Sequence, residues 1–333
     1  MKFKHWILSL VYVLILSLSL QTTLWATSPE SNVSEDQGQV VQIGNEDLFS
    51  EFDSSKIFEL YNDVEILDKE TLYYSIDIDN ASSQLIYSTK EPEVYDIKDI
   101  IPQIKNEYSI QNNKLTYRMD MFYLVADIAI DKPKFVSAGA VTNVSGSGTK
   151  PKNYTVSLKN TISNTRSGVY SNDKEKNVTV KLKEEFVLES PISITKYWKG
   201  VTVAKANFDG SLVITAASAS SDVMLLNKKG IKYPSDYKDR QSGIVMWEPP
   251  ANLTANARTP GSKYRENFIE YYERNWGAPT YFKWTDVQIH HMRPVKYNGQ
   301  DSVSNLIPLW KPGSSEKNGI KNHTELNNWW RNY

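Results

Sequence analysis

The chain has no cysteine. That removes disulfides, thiolate nucleophiles and thiolate-ligated zinc together, so any metal must be held by His, Asp, Glu, Asn or water. Histidine is scarce too. Of four in 333 residues, His5 lies near the amino terminus and His290, His291 and His323 all fall in the last quarter of the chain. Long apolar runs are missing except for one at the start, and a mean hydropathy of −0.48 argues against a polytopic helical membrane protein. A net charge of −1 gives no overall pull toward polyanions, but the charge is unevenly distributed. Residues 27–130 carry 7 basic against 21 acidic side chains, residues 131–254 carry 18 against 11, and residues 255–333 carry 11 against 7. An acidic front and a basic back suit a polyanionic partner for the back, or simply a solvated acidic face.

What is present is enough for a packed core: 40% hydrophobic residues, 12% of the chain aromatic, and ordinary Gly and Pro usage. Residues 1–26 read as a secretory signal. Lys2 and Lys4 precede an uncharged apolar run over residues 6–20, and Leu24-Trp25-Ala26 offers a cleavage site. Cleavage gives a secreted protein with no stable membrane association. The rival is an uncleaved N-terminal anchor facing outside, since residues 6–26 just reach the roughly 20 residues that span a bilayer. Residues 27–45 are polar and acidic, as in a disordered linker.

Further along, residues 46–130 read as a small acidic α+β region, with helical spacing from Ile97 to Ile110 interrupted by Pro102 and a buried strand at residues 121–126. Residues 131–248 alternate in short segments, at 153–158, 178–182 and 191–194, with a denser run at 211–215. Turn signals stand at Gly146-Ser147-Gly148, Ser171-Asn172-Asp173 and Asp209-Gly210. This pattern predicts a β-sandwich or meander. Residues 249–261, rich in Pro, Asn, Ala and Thr, form a linker candidate. In residues 262–333 the sequence predicts a helix from Lys263 to Trp276 capped by Ser262, a strand from Tyr281 to Ile289, and a second strand at Leu306–Leu309 beyond the Asn298-Gly299 turn. A last helix should start at His323, with Asn322 and Glu325 as a capping box. The fold class expected is thus α+β and multidomain: signal peptide, small α+β region, β-rich sandwich-like middle, and a C-terminal ββα unit.

That unit places histidines at the end of its first strand and at the start of its helix. Two imidazoles on rigid elements can hold one divalent metal with open positions left for water, which suits catalysis better than a closed structural site. A third histidine beside them can take a proton from water, and an Asn on the facing strand can fix its tautomer. The residues Ile289-His290-His291-Met292-Arg293-Pro294, Asn298-Gly299, Asn305-Leu306-Ile307-Pro308-Leu309, His323 and Trp329-Trp330-Arg331-Asn332-Tyr333 resemble the HNH, or ββα-metal, endonuclease family. The similarity is closest to its secreted toxin branch, and it covers about 75 residues at the C-terminal end. The Tyr264-Arg265-x-x-Phe268 helix and the Trp276-Gly277 end fit as well.

The resemblance implies a secreted, metal-dependent endonuclease that hydrolyses phosphodiester bonds and serves as a toxin effector. In it His290 and His323 are the metal ligands, His291 is the general base, and Asn305 orients His291. It also implies one divalent ion (Mg, Mn, Zn or Ni) that polarises a phosphate oxygen and stabilises the leaving 3′ oxygen. The implied partners are nucleic acid, DNA ahead of RNA, and an immunity protein. The sequence departs from the pattern in three places. Asn298 replaces the first glycine of a Gly-Gly pair, the interval from Asn305 to His323 is long around Pro312-Gly313-Ser314-Ser315, and Asn327 stands where many relatives have a further His. Arg265, Arg293, Lys296 and Arg331 are candidate phosphate contacts. The competing reading is a noncatalytic secreted β-rich binding protein with a degenerate nuclease tail. A metalloprotease lacks the H-E-x-x-H it would need.

Overall fold

A computed structural model describes residues 55–90, 113–312 and 321–333. The expected signal, the linker at 27–45 and the helical pattern at 97–110 lie outside the described residues. Within them the chain is β-rich with few helices. A short helix α1 (Ser55–Phe58) is followed by β1 (Val64–Asp77), β2 (Ser82–Ser88), β3 (Lys114–Ala126), β4 (Lys134–Gly146), β5 (Asn153–Ser163), β6 (Ser171–Val180), β7 (Glu185–Pro191), β8 (Lys196–Asn207), β9 (Val213–Ser220) and β10 (Met224–Leu226). The C-terminal part adds α2 (Tyr264–Trp276), β11 (Val287–His291), β12 (Leu306–Trp310) and α3 (His323–Arg331).

Two antiparallel sheets face each other. One runs β2-β1-β3-β4-β7; the other runs β10-β8-β5-β6, with β9 on the far side of β8. Alternate residues point to opposite faces of a strand, so Leu115, Tyr117, Met119, Met121, Tyr123 and Val125 of β3 meet Tyr154, Val156, Leu158 and Trp198 from the second sheet in one apolar core. The other parity of β3 is buried as well: Phe122, Leu124 and Ala126 pack with Val136 and Ala138 against Ile57 of α1. The boundary expected at residue 130 falls in the hairpin between β3 and β4, whose pairing runs from Leu115↔Gly146 to Ala126↔Lys134. The acidic segment and the β-rich segment therefore build the same sheet.

Several local expectations shift. Ser171-Asn172-Asp173 opens β6 instead of forming a turn, because its polar side chains suit an exposed edge strand. The strand expected at 191–194 ends at Pro191. Gly146 and Asp209-Gly210 do end strands, and Gly210 takes φ 74° in a short 3-10 turn.

Position on β8 and β10 decides how the C-terminal part attaches. Trp198 points into the sandwich against Phe135, with ring centroids 5.3 Å apart, while its neighbour Tyr197 points the other way. Tyr197 and Leu225 join Tyr233, Tyr237 and Met246 in a second core that contains Val287, Ile307, Leu309, Leu326, Trp329 and Trp330. The outer face of the second sheet is thus covered by the chain's own end. The segment expected as a linker is bound into this arrangement: the Ala251 N–H donates to Asn164 O (2.7 Å), the Leu253 N–H to Tyr333 Oη (2.8 Å), the Asn256 N–H to Lys296 O (2.9 Å) and the Arg258 N–H to Val295 O (3.0 Å).

Candidate active site

β11 and β12 pair antiparallel, with His290 opposite Ile307 and His291 opposite Leu306. The strand expected from Tyr281 begins only at Val287; Tyr281, Phe282 and Trp284 pack as an irregular aromatic cluster around Tyr272. Apolar Val287 and Ile289 anchor the hairpin, Val287 in the second core and Ile289 against Phe268, Tyr272 and Leu306. The period of two then sends His290 and His291 apart. His290 meets His323 of α3, edge to face with centroids 4.7 Å apart. His291 meets the ring of Tyr264 on α2, also at 4.7 Å.

The position of His323 is fixed despite the long interval before it. Asn322 caps α3 by accepting the Thr324 N–H at 2.7 Å, as the sequence predicts. Trp310 at the end of β12 donates its N–H to Lys321 O at 3.1 Å, which ties the helix start to the strand end. Leu326, Trp329 and Trp330 bury the opposite face of α3, and Trp329 sits on Tyr233 with centroids 4.6 Å apart. Residues 313–320 of the expected inserted loop lie outside the described residues. The helix expected from Lys263 begins at Tyr264, so the cap position falls on Lys263, which makes no side-chain cap bond, and not on Ser262.

His290, His291 and His323 line one cleft of about 530 Å³ together with Tyr264, Arg265, Gln288, Lys311 and Asn327. His290 is almost wholly buried, and its Nε2 has no hydrogen-bond partner. Burial first, then the neighbouring His323 and His291, push its pKa down to about 3; the ring is neutral with a free lone pair at ordinary pH. Burial also lowers His323, whose Nδ1 lies 3.2 Å from the Asn327 amide. Among the described residues no group of three or more His, Asp or Glu side chains is placed so that it could hold a metal ion.

Asn305 corrects an expectation. Its side chain makes no hydrogen bond to His291. Its Oδ1 accepts the Arg293 N–H (2.8 Å), and its Nδ2 donates to Arg293 O (3.1 Å) and Gln300 O (2.8 Å). It therefore braces both sides of the β11–β12 connection. The reason is geometric: Asn305 precedes β12, level with the loop, and the Met292 N–H bonds its carbonyl at 2.8 Å. In the same loop Asn298 takes φ 62°, as the turn requires. Gly299 passes so close to Arg293 that an added Cβ would lie 1.6 Å from the Arg293 carbonyl oxygen.

The partner of His291 is a residue the sequence reading missed. Its Nε2 lies 2.6 Å from Asp301 Oδ1. Asp301 in turn receives Arg258 through both oxygens, at 2.6 and 3.1 Å, and the Gly261 N–H at 2.7 Å. The guanidinium above all holds the Asp301 carboxyl well below the usual carboxylate range. A signal for Asp301 was in the sequence, since it is the only acidic residue between His291 and Asn305. Arg258 carried none, because it sits in a segment whose composition reads as linker. Of the expected phosphate contacts, Arg265 donates to Trp284 O (2.6 Å) and Val287 O (3.3 Å) and so fastens the start of β11. Arg293 donates to Tyr297 O at 2.6 Å, and Lys296 lies over the Tyr297 ring. Comparison with known protein families, curated proteins and solved structures gives no match.

Proposed function

We propose that the protein is a metal-dependent nuclease, in which His290 and His323 hold a divalent ion and His291 is the general base. The observation that carries this reading is the buried, neutral His290 with an unpartnered Nε2, set edge to face against His323 in the cleft that His291 also lines. A buried polar atom left unpaired costs about 1–3 kcal/mol, and a ligand role accounts for it. Of Mg, Mn, Zn and Ni, two imidazole nitrogens suit Zn or Ni best, with Mg or Mn needing oxygen from water and substrate phosphate to complete their shell. When bound, the ion would supply charge stabilisation at a phosphate oxygen and at the leaving 3′ oxygen.

The chain's own residues do the rest. His323 would hold the ion through Nε2 if Nδ1 keeps its proton. A half-turn of the Asn327 amide, whose oxygen and nitrogen are interchangeable in position, then presents Oδ1 to that N–H. His291 withdraws a proton from the attacking water, a contribution typically worth about 10²–10⁴ in rate. Arg265 and Lys311 place positive charge on the cleft wall, suited to a phosphodiester backbone whose binding weakens with salt. Nucleic acid, DNA ahead of RNA, is the proposed substrate. Export by residues 1–26, a toxin role and neutralisation by an immunity protein complete the proposal.

The test uses residues 27–333, because the C-terminal elements share their core with residues 197–253. Plasmid DNA and RNA are incubated with the protein and Mg²⁺, Mn²⁺, Zn²⁺ or Ni²⁺, with and without EDTA. The expected result is metal-dependent cleavage that is lost in His291→Ala while metal still binds, and metal binding weakened in His290→Ala and His323→Ala. Folded protein that cleaves neither nucleic acid with any of these metals overturns the proposal.

A further inference from the structure

The geometry points to Asp301, clamped by Arg258, as the positioning residue that fixes the tautomer of His291, with Nε2 protonated and Nδ1 as the atom that takes the proton from water. This inference rests on the general-base role given to His291 above. An ionised carboxylate can only accept hydrogen bonds. The 2.6 Å contact from Asp301 Oδ1 to His291 Nε2 therefore requires the proton on Nε2, and the neutral ring then has its one lone pair at Nδ1.

The carboxylate cannot easily turn away. Arg258 Nη2 holds Oδ1 at 2.6 Å, Nη1 holds Oδ2 at 3.1 Å, and the Gly261 N–H holds Oδ2 at 2.7 Å. Arg258 is fixed in turn by its Nε on Gly299 O at 2.5 Å and its Nη1 on Thr259 O at 3.0 Å. Such a bidentate pair supplies direction as well as energy. The Tyr264 ring closes one face of the imidazole at 4.7 Å, so His291 is held at Nε2 and on its ring face. Asn305 makes its three hydrogen bonds within the loop and is not the orienting group.

Asp301→Asn separates this role from plain support. The Gly261 N–H and Arg258 Nη1 both donate to the Oδ2 position and would keep the amide oxygen there, leaving the amide N–H₂ at the Oδ1 position facing His291 and forcing a lone pair onto Nε2. The lone pair at Nδ1 is then lost. Side-chain ¹⁵N spectra of metal-free residues 27–333, recorded above the imidazole titration and assigned through His291→Ala, should give the Nε2–H form for the native protein and the Nδ1–H form for Asp301→Asn. With metal and DNA, the variant should lose about 10²–10⁴ in kcat, the usual span of a general base, with KM and metal affinity unchanged. Asp301→Glu should recover part of the loss. An Nδ1–H tautomer in the native protein overturns the inference and requires no variant to fold; so does an Asp301→Asn protein that keeps native kcat. If the native protein cleaves nothing, the nuclease reading fails alone and the tautomer measurement still decides the positioning role.

Discussion

His290 and His323 meet edge to face, with ring centroids 4.7 Å apart and ring planes at 79°. The contact joins the end of a strand to the first turn of a helix from the far side of a long loop. It sets two histidines remote in sequence side by side in one cleft.

If Asn327 orients His323, its removal should be felt in metal affinity. Asn327→Ala is expected to weaken binding of the activating metal by about 10–100-fold, as outer partners of metal-ligating histidines commonly do, while Asn327→Asp retains an acceptor for Nδ1–H and stays near native. Titration calorimetry on metal-free protein checks this. Equal affinity in Asn327→Ala would mean the 3.2 Å contact does not set the ring.

Asn305 should behave as a brace. Asn305→Ala leaves the Arg293 N–H and two carbonyls without their partner, at a cost of about 1–3 kcal/mol. Asn305→Asp keeps the acceptor but sets a carboxylate against two carbonyl oxygens, and should be at least as destabilising. Urea denaturation measures both. Neither variant should change the His291 tautomer, which is the outcome that separates bracing from orienting.

The C-terminal elements should not fold apart from the sandwich. Residues 262–333 alone lack Tyr197, Leu225, Tyr233, Tyr237 and Met246, which complete their core. Circular dichroism of that fragment is expected to give no cooperative thermal transition. In the longer protein, Tyr233→Ala empties the site against Trp329 and loses the hydroxyl bond to Trp247 O at 2.7 Å. A loss of about 3–5 kcal/mol is expected, as for other large aromatic truncations. A fragment that melts cooperatively would contradict the shared core.

Glu70 should reduce stability at neutral pH. Burial raises its carboxyl above the ordinary value, against the opposing Ser88 hydrogen bond and Lys90 charge. The native state therefore holds its proton more tightly than the unfolded chain does. The resulting stabilisation is fully present below the unfolded value near pH 4.3 and is lost as pH rises through the higher native value. Glu70→Gln keeps an acceptor for Ser88, now 2.8 Å from Oε1, so it should raise Tm at pH 7, with the difference shrinking toward pH 4. A lower Tm at pH 7 would show that Lys90 outweighs burial.

Much of the site was legible because it depends on local pattern. The cap at Asn322, the apolar side of α3 and the turn at Asn298-Gly299 follow from side-chain chemistry acting over a few residues, and the structure bears out each. The strand at 121–126 was legible from apolar density, and the alternating one at 153–158 from its period of two. The extent of the strands was less so. Ser171-Asn172-Asp173 reads as a turn because polar residues favour turns, yet an exposed edge strand accepts the same composition.

By itself the sequence determined which residues were candidates for chemistry: with no cysteine and three histidines beyond the first segment, His290, His291 and His323 stood out from composition alone. Only the tertiary structure decided what holds them. Tyr197 turns outward while Trp198 turns inward, so the sandwich and the site share residues that no domain boundary drawn from composition would join. Asp301 reaches His291, and Arg258 reaches Asp301 from a segment rich in linker residues, because hydrogen bonds and ion pairs act over ångströms in space and leave no period in the chain. Asp301 stood in the sequence as a lone acidic residue between His291 and Asn305, but its contact with His291 and its clamp by Arg258 became legible only in the fold.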